Sequence, residues 1–287
     1  MSIKSDAAGL IGNWSFVQSR PDFASSMLRI ASFVTGLRRF PSTVAINKRI
    51  DQRKRWNIFF LFLPTGELTS AHRYTLQRLR EAKGALGVIC ASPGPAQVPK
   101  ELSHICDAVY WKALEGYDFS AYSFALNEVA KYSSGADVFL MNDSVFGPFG
   151  EIESVINGFS WQLSGFTGHC ALENHIQSYA FFIKEVTPNL CSKFSAVLLR
   201  RLSLNRFSDV VRLQETRFAR VASEQISVGA LWFQSQFARR DPMLYDPFFL
   251  ISQGVPFLKK SLYRGKFGSL HSEASIAGTL EAFGHPI

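Results

Sequence analysis

The sequence predicts an α/β fold: a mixed, mainly parallel sheet flanked by helices, in one globular domain with a helical accessory segment at its N-terminus. From Trp56 onward, short apolar runs alternate with segments of helical period, the order that builds βαβ units. The 26 Phe residues gather in runs such as Phe59-Phe60 and Phe181-Phe182, as in strands buried on both faces. With 287 residues, 47% of them hydrophobic, the chain can bury one large core or two modest ones, which excludes a disordered chain.

Residues 1–55 combine Ser, Gly and basic residues without a strand pattern and read as the accessory segment. Within it Phe23, Met27, Ile30, Phe33, Val34 and Leu37 recur at helical spacing beside Arg29, Arg38 and Arg39. That is a basic amphipathic helix, packed on the main domain or laid on a membrane surface. The run WNIFFLFLP, stopped by Pro64 and Gly66, reads as a buried strand. A helix over 67–83, a strand over 86–90, a Pro/Gly loop over 92–99 and a short strand over 108–111 should follow. Next come a helix over 120–132 and a strand over 137–141 that ends at Asn142-Asp143-Ser144. Gly147, Pro148 and Gly150 enforce a loop before a short helix over 151–156. Strands over 161–166 and 176–183 and helices over 190–202 and 207–223 complete the domain, which spans 56–268. Its last part, from Asp241, is loop-rich, and 269–287 reads as a peripheral tail.

A formal charge of +8 and a pI near 9.4 call for an anionic partner. Between Arg20 and Arg55 the basic residues face only the acids Asp22 and Asp51. No zinc-finger or RNP sequence accompanies the charge, which argues against nucleic acid and leaves phosphorylated ligands and lipid surfaces. Cys90, Cys106, Cys170 and Cys191 are too scattered for a disulfide framework or zinc site, so reduced thiols are expected. The N-terminus carries no signal-like apolar core with a cleavage site, and no apolar run reaches spanning length. The expectation is a cytoplasmic protein, at most peripheral on the inner membrane. Walker, GxGxxG and GxSxG sequences do not occur.

In open α/β sheets ligands gather at the carboxyl ends of strands, which singles out Asn142, Asp143 and Ser144. The Asp143 carboxylate could hold a divalent cation bridging phosphates or hydrogen-bond a sugar hydroxyl; an Asx-turn leaving the strand is the plain alternative. Asp118 precedes a helix, where it either caps the helix or binds a ligand's sugar or base. His175 and Gln177 share one strand face, as a cleft wall or as satisfied core residues.

These residues belong to five segments in one order: Gly116–Tyr122 (GYDFSAY), Asn142–Pro148 (NDSVFGP), Gly165–Gly168 (GFTG), His175–Phe181 (HIQSYAF) and Pro256–Lys260 (PFLKK). Together they resemble the rhamnan synthesis F family of glycosyltransferases over residues 56–266. Three positions depart from the family pattern: Ser120 replaces Gly, Phe166 replaces Leu or Ile, and Ser164 or Gly165 stands where the family has Trp. The resemblance implies a GT-A-like, Rossmann-type fold. It implies transfer of a sugar, a deoxyhexose such as rhamnose, from a nucleotide-diphosphate donor to a growing O-antigen or capsular polysaccharide, with a saccharide or lipid-linked saccharide as acceptor. Asn142-Asp143-Ser144 would stand in for the usual Asp-any-Asp metal motif, which leaves Mg²⁺ or Mn²⁺ at Asp143 open.

The donor site would comprise Asp118, Asn142, Asp143, Ser144, His175 and Gln177. Lys259, Lys260 and Arg264 either neutralise the diphosphate or form a solvated basic tail. An acceptor hydroxyl needs a base. Glu215, in VRLQETRF, matches a family Glu although Gln214 and Arg217 depart, and it ranks above Glu173; a solvated helix face is the alternative for either. A second reading keeps the fold without catalysis, as an assembly subunit docked on membrane or partner enzymes.

Overall fold

Apolar runs that cannot alternate must be covered on both faces, and the centre of the fold is built on this requirement. The computed structural model describes residues 9–21, 23–236 and 240–287; the first eight residues of the expected accessory segment, and Asp22, lie outside the described residues. The strands are β1 (Leu10–Ser15), β2 (Leu37–Arg39), β3 (Thr43–Ala45), β4 (Arg55–Phe62), β5 (Ala85–Ala91), β6 (Ala108–Lys112) and β7 (Ala136–Asn142). They continue with β8 (Val145–Phe146), β9 (Leu163–His169), β10 (His175–Ile176), β11 (Ala180–Val186), β12 (Leu202–Leu204), β13 (Val228–Gln234) and β14 (Leu258–Lys259). Ten of them form one sheet, ordered β1-β13-β9-β11-β7-β4-β5-β6-β3 with β10 beside β9.

Alternate residues of β4 enter two different cores. Trp56, Ile58 and Phe60 pack with Phe119, Tyr122, Leu126 and Phe218 on one face; Phe59 and Leu61 pack with Leu76, Leu79 and Ile152 on the other. The expected helix-flanked, mixed sheet is therefore present. β7, β4, β5 and β6 pair in parallel, and β9 and β13 point the same way because β11 runs antiparallel to both β7 and β9. Six strands thus present their carboxyl ends at one edge.

Several boundaries differ from the expectation. The segment before residue 55 does not stand apart, since β1 pairs with β13 and β3 with β6 at opposite margins of the same sheet. Trp14 is buried and stacks on Phe233 with ring centroids 3.8 Å apart. The tail also packs: in the helix Glu273–Ala282, Ile276 and Leu280 are wholly buried against Phe146, Phe149 and Leu258. The helix expected over 190–202 stops at Lys193, passes through a 3-10 turn at Phe194–Ala196 and gives way to β12, which pairs with β2. All four cysteines are free thiols; burial pushes Cys90 and Cys106 up to about 12. Among the described residues no helix is long and apolar enough to cross a membrane.

Because Trp14 is an integral core residue, Trp14→Ala should lower the unfolding free energy by about 3–5 kcal/mol. Urea unfolding measures this, and an unchanged midpoint would show that the segment is detachable.

Candidate active site at the carboxyl edge of the sheet

The carboxyl edge collects the polar segments that the apolar strands cannot accommodate. β7 ends in Asn142, whose backbone N–H donates to Tyr179 O (2.9 Å), so the two family-like segments NDS and HIQSY meet at this point. The Asn142 side chain acts in both directions. Its Nδ2 donates to Asp118 Oδ2 at 3.0 Å, and its Oδ1 accepts from Ser144 N (3.0 Å) and Ser144 Oγ (2.6 Å). The Asx-turn considered from sequence thus exists at Asn142, and it simultaneously holds Asp118.

Asp118 sits in the first turn of the helix Tyr117–Tyr132. Gly116 introduces that helix with φ +86°, and a Cβ there would lie 2.6 Å from Ser120 Oγ, so only glycine fits without displacement. The Asp118 carboxyl accepts from Phe119 N (2.9 Å). Burial, and then the charge of Glu215, push it up to about 7, against the pull of these hydrogen bonds.

Glu215 is the last residue of a π turn, Val211–Glu215, in the helical stretch 207–223; such widened turns often accompany functional positions. Its Oε1 accepts both the N–H (3.0 Å) and the Oγ (2.9 Å) of Ser178. Tyr122 closes the cluster by donating to Ser178 O at 2.8 Å. Asp118, Asn142 and Ser144 thus form one hydrogen-bonded group, and Ser178, Glu215 and Tyr122 a second beside it; the Asn142 N–H to Tyr179 O bond and the Glu215 charge acting on Asp118 bring the two together as one polar network.

Asp143 points elsewhere. Its Oδ2 accepts Phe62 N–H at the end of β4 (3.1 Å) and lies 3.6 Å from His72 Nε2. His72 is held by a capping box with Thr69. Its Nδ1 accepts the Thr69 N–H, which assigns the ring proton of the neutral form to Nε2, facing Asp143. Lys260 approaches from β14: its N–H donates to Ser144 O (3.0 Å), and the β8–β14 pairing fixes the register. Burial lowers the Lys260 ammonium, and the Asp143 charge opposes that shift.

The remaining candidates are placed as follows. Lys259 pairs with Asp241 at 2.6 Å. Asp241 is pushed up by burial, but the Lys259 ammonium beside it outweighs this and holds it below the usual carboxylate value. His175 and Gln177 share a face as expected but are buried: His175 packs on His169, and Gln177 accepts from Thr167 Oγ1 at 2.6 Å. Burial and His175 lower His169 to about 3, so it is neutral. Arg264 is 69% exposed and pairs with Glu273. Glu173 is 1% exposed and clamped by Arg29 (2.5 Å) and Arg220 (2.9 Å), so it acts as an anchor with no freedom to accept a substrate proton.

Sequence reasoning missed His72, Ser178, Asp241 and Lys112. The T-x-x-H spacing after the run that forms β4 and the Asp-Pro pair at 241–242 were the available signals. Lys112 ends β6 fully buried; its ammonium donates to Ala113 O (2.8 Å) and Glu115 O, fixing the loop that leads to Asp118, and burial lowers it to about 8. The basic run at Arg53–Arg55 lies away from the network, beside a cavity of about 740 Å³ at the opposite edge of the sheet.

A carboxyl raised in the folded state binds its proton more tightly there than when unfolded. Stability should therefore fall as pH rises from about 4, the ordinary range, to about 7. Asp118→Asn should remove this loss: its stability gain over the wild type in urea unfolding should be near zero at pH 4 and largest above pH 7. A pH-independent difference would show that Asp118 does not titrate in that range.

Comparison with curated proteins by sequence gives no match. Among solved structures, the inositol-1-phosphate CTP transferase from T. maritima is 14% identical with a TM-score of 0.39, covering 71% of this chain and 99% of that one. A protein from Desulfovibrio desulfuricans G20 assigned as a nucleotide-diphospho-sugar transferase is 13% identical with a TM-score of 0.39, covering 81% and 97%. Likenesses this remote do not bear on activity. The sequence profile of rhamnan synthesis protein F matches residues 86–280. That span contains the five segments, and the network at the carboxyl edge is built from them and Glu215; the chain belongs to the rhamnan synthesis protein F family.

Proposed function

We propose that this chain is a nucleotide-sugar-dependent glycosyltransferase that moves a deoxyhexose such as rhamnose from a nucleotide-diphosphate donor to a growing O-antigen or capsular polysaccharide. The observation that carries this reading is the convergence of two hydrogen-bonded groups, Asp118-Asn142-Ser144 and Ser178-Glu215, close enough for the Glu215 charge to act on Asp118, at the carboxyl edge, where open α/β sheets bind ligands.

The two sides of Asn142-Asp143-Ser144 suit the two ends of such a donor. The diphosphate lies on the Asp143 and Lys260 side, where the Lys260 ammonium stabilises the charge that develops as the sugar departs. The sugar lies towards Asp118 and Glu215. In a single displacement the acceptor oxygen bonds to the anomeric carbon, the bond to the phosphate oxygen breaks, and the diphosphate leaves with the electron pair. Asp118 takes the hydroxyl proton, since its carboxyl at about 7 matches the task of a base at neutral pH. Glu215, fixed by Ser178, supplies the neighbouring charge that keeps Asp118 basic. One carboxyl pair thus divides the roles through environment.

Among the described residues no group of three or more His, Cys, Asp or Glu converges on a metal position, and the His72 proton faces Asp143. A Mg²⁺ or Mn²⁺ ion would accordingly be held by Asp143 alone, with donor phosphates and water as its other ligands, and would add positive charge at the diphosphate.

Thermal unfolding with dTDP-, UDP- and GDP-sugars, with and without Mg²⁺ or Mn²⁺, tests the donor site: a ligand at 100 times its Kd adds about 2.7 kcal/mol. Asp143→Ala should lose the shift. Asp118→Asn should keep the shift yet reduce transfer by about 10²–10⁴-fold. Absence of any shift at millimolar donor sinks the reading, and donor binding without transfer to any saccharide acceptor favours a non-catalytic assembly subunit.

A further inference from the structure

The helix Phe23–Gly36 is amphipathic in the inverse sense. The stripe it turns inward is Ser25, Arg29, Ser32 and Gly36, spaced as one helical face. Ser32 Oγ donates to Asp209 at 2.7 Å, and Arg29 reaches Glu173, Thr216 Oγ1 (2.9 Å) and Arg212 O (3.0 Å). Its apolar side chains face outward: Phe23 is 82% exposed, Met27 53%, Ile30 60%, Phe33 57% and Val34 75%. A soluble helix buries that face. The inward anchoring fixes this one in the opposite orientation, so its apolar face is held ready for something outside the chain.

Charge identifies the occupant. β2, which continues from the helix, pairs with β12, and the two carry or adjoin the exposed Arg38, Arg39, Arg200, Arg201 and Arg206. Neither residues 23–39 nor residues 199–208 include an acid. Leu202 and Phe207 are exposed among these arginines, and the Phe207 ring lies 6.4 Å from that of Tyr117, the neighbour of Asp118. An apolar ridge bordered by cations matches an anionic bilayer, with apolar side chains among the acyl chains and guanidiniums at the phosphates. A second copy of this chain would bring the same cations against one another. The helix has 14 residues, too few to span a bilayer, which makes the contact interfacial.

We propose that Phe23–Gly36, with the arginines of β2 and the 200–206 segment, docks this protein on an anionic phospholipid membrane with the Asp118 end of the site beside the lipid. The test is co-sedimentation of the full chain with vesicles of phosphatidylcholine alone or mixed with phosphatidylglycerol. Binding should require phosphatidylglycerol and weaken as salt rises. Met27→Gln/Ile30→Gln/Phe33→Gln should reduce partitioning at least about ten-fold, and Arg200→Gln/Arg201→Gln by about ten-fold or more. Both variants should keep the wild-type melting temperature, since the altered side chains are exposed. No binding of the wild type to anionic vesicles, or undiminished binding of the triple variant, overturns the proposal. So does a wild-type dimer that the triple variant dissolves while vesicles capture neither protein.

Discussion

The carboxyl edge depends on one amide. Asn142 stands where β7 leaves the sheet, between a carboxyl that needs a donor and a turn that needs an acceptor, and an amide is the side chain that offers both. An aspartate there would satisfy Ser144 but set a further carboxylate against Asp118, whose proton affinity the Glu215 charge already raises. A leucine would leave the partly buried Asp118 carboxyl without this donor, at about 1–3 kcal/mol, whereas the exposed Ser144 could turn to water. The Asn-Asp-Ser sequence therefore has a physical reason in this chain: its first position serves the neighbouring carboxyl, and its one acid, Asp143, faces the other side.

A second constraint sits behind the network. Glu173 is buried with Arg29 on one side and Arg220 on the other, and a buried ion group of this kind contributes more to fixing an arrangement than to net stability. Arg29 belongs to the inverted N-terminal helix and Arg220 to the helical stretch that presents Glu215, while Glu173 precedes the strand that leads to Ser178. The triad thus ties the outward-facing ridge to the two elements whose hydrogen bond holds Glu215. Whatever binds the ridge acts on the same framework that positions the site.

The parallel strands were legible because a run such as NIFFLF has only one stable solution in water, a sheet covered on both faces. The site segments were legible because they follow those strands or the resemblance. What escaped were pairings over long separations. β13 holds a run, VGALWFQ, but its neighbours are β9 and β1, and nothing local in LIGNWS marks a strand beyond the burial of Trp14. Gly229 reads as a weak point in that strand, yet a Cβ there would lie 2.2 Å from Trp161, so it is a place where two elements touch. Glu173 resembled a free base for the same reason: its arginine partners lie 144 and 47 positions away. The helix at 23–36 was readable as amphipathic, but which face turns inward depends on Asp209, Thr216 and Glu173, and periodicity carries no such information.

Burial moves the acid and the base at this edge in opposite directions, the Asp118 carboxyl up and the Lys260 ammonium down. Both shifts favour the neutral form, which is the response of a partly dehydrated site to charges it does not fully pair. A structural salt bridge would behave differently: at Lys259 and Asp241 the 2.6 Å contact holds the carboxyl below its ordinary range despite burial. Two neighbouring lysines in one segment are therefore distinguished by their partners. Lys259 is spent inside the protein, while Lys260 has no ion pair among the described residues: its ammonium lies 5.8 Å from the centroid of the Phe146 ring and feels the more distant charge of Asp143. An anion placed beside Lys260 would supply a counter-charge and oppose the effect of burial, so the electrostatic imbalance of the edge is complementary to a ligand that carries negative charge on the Asp143 side.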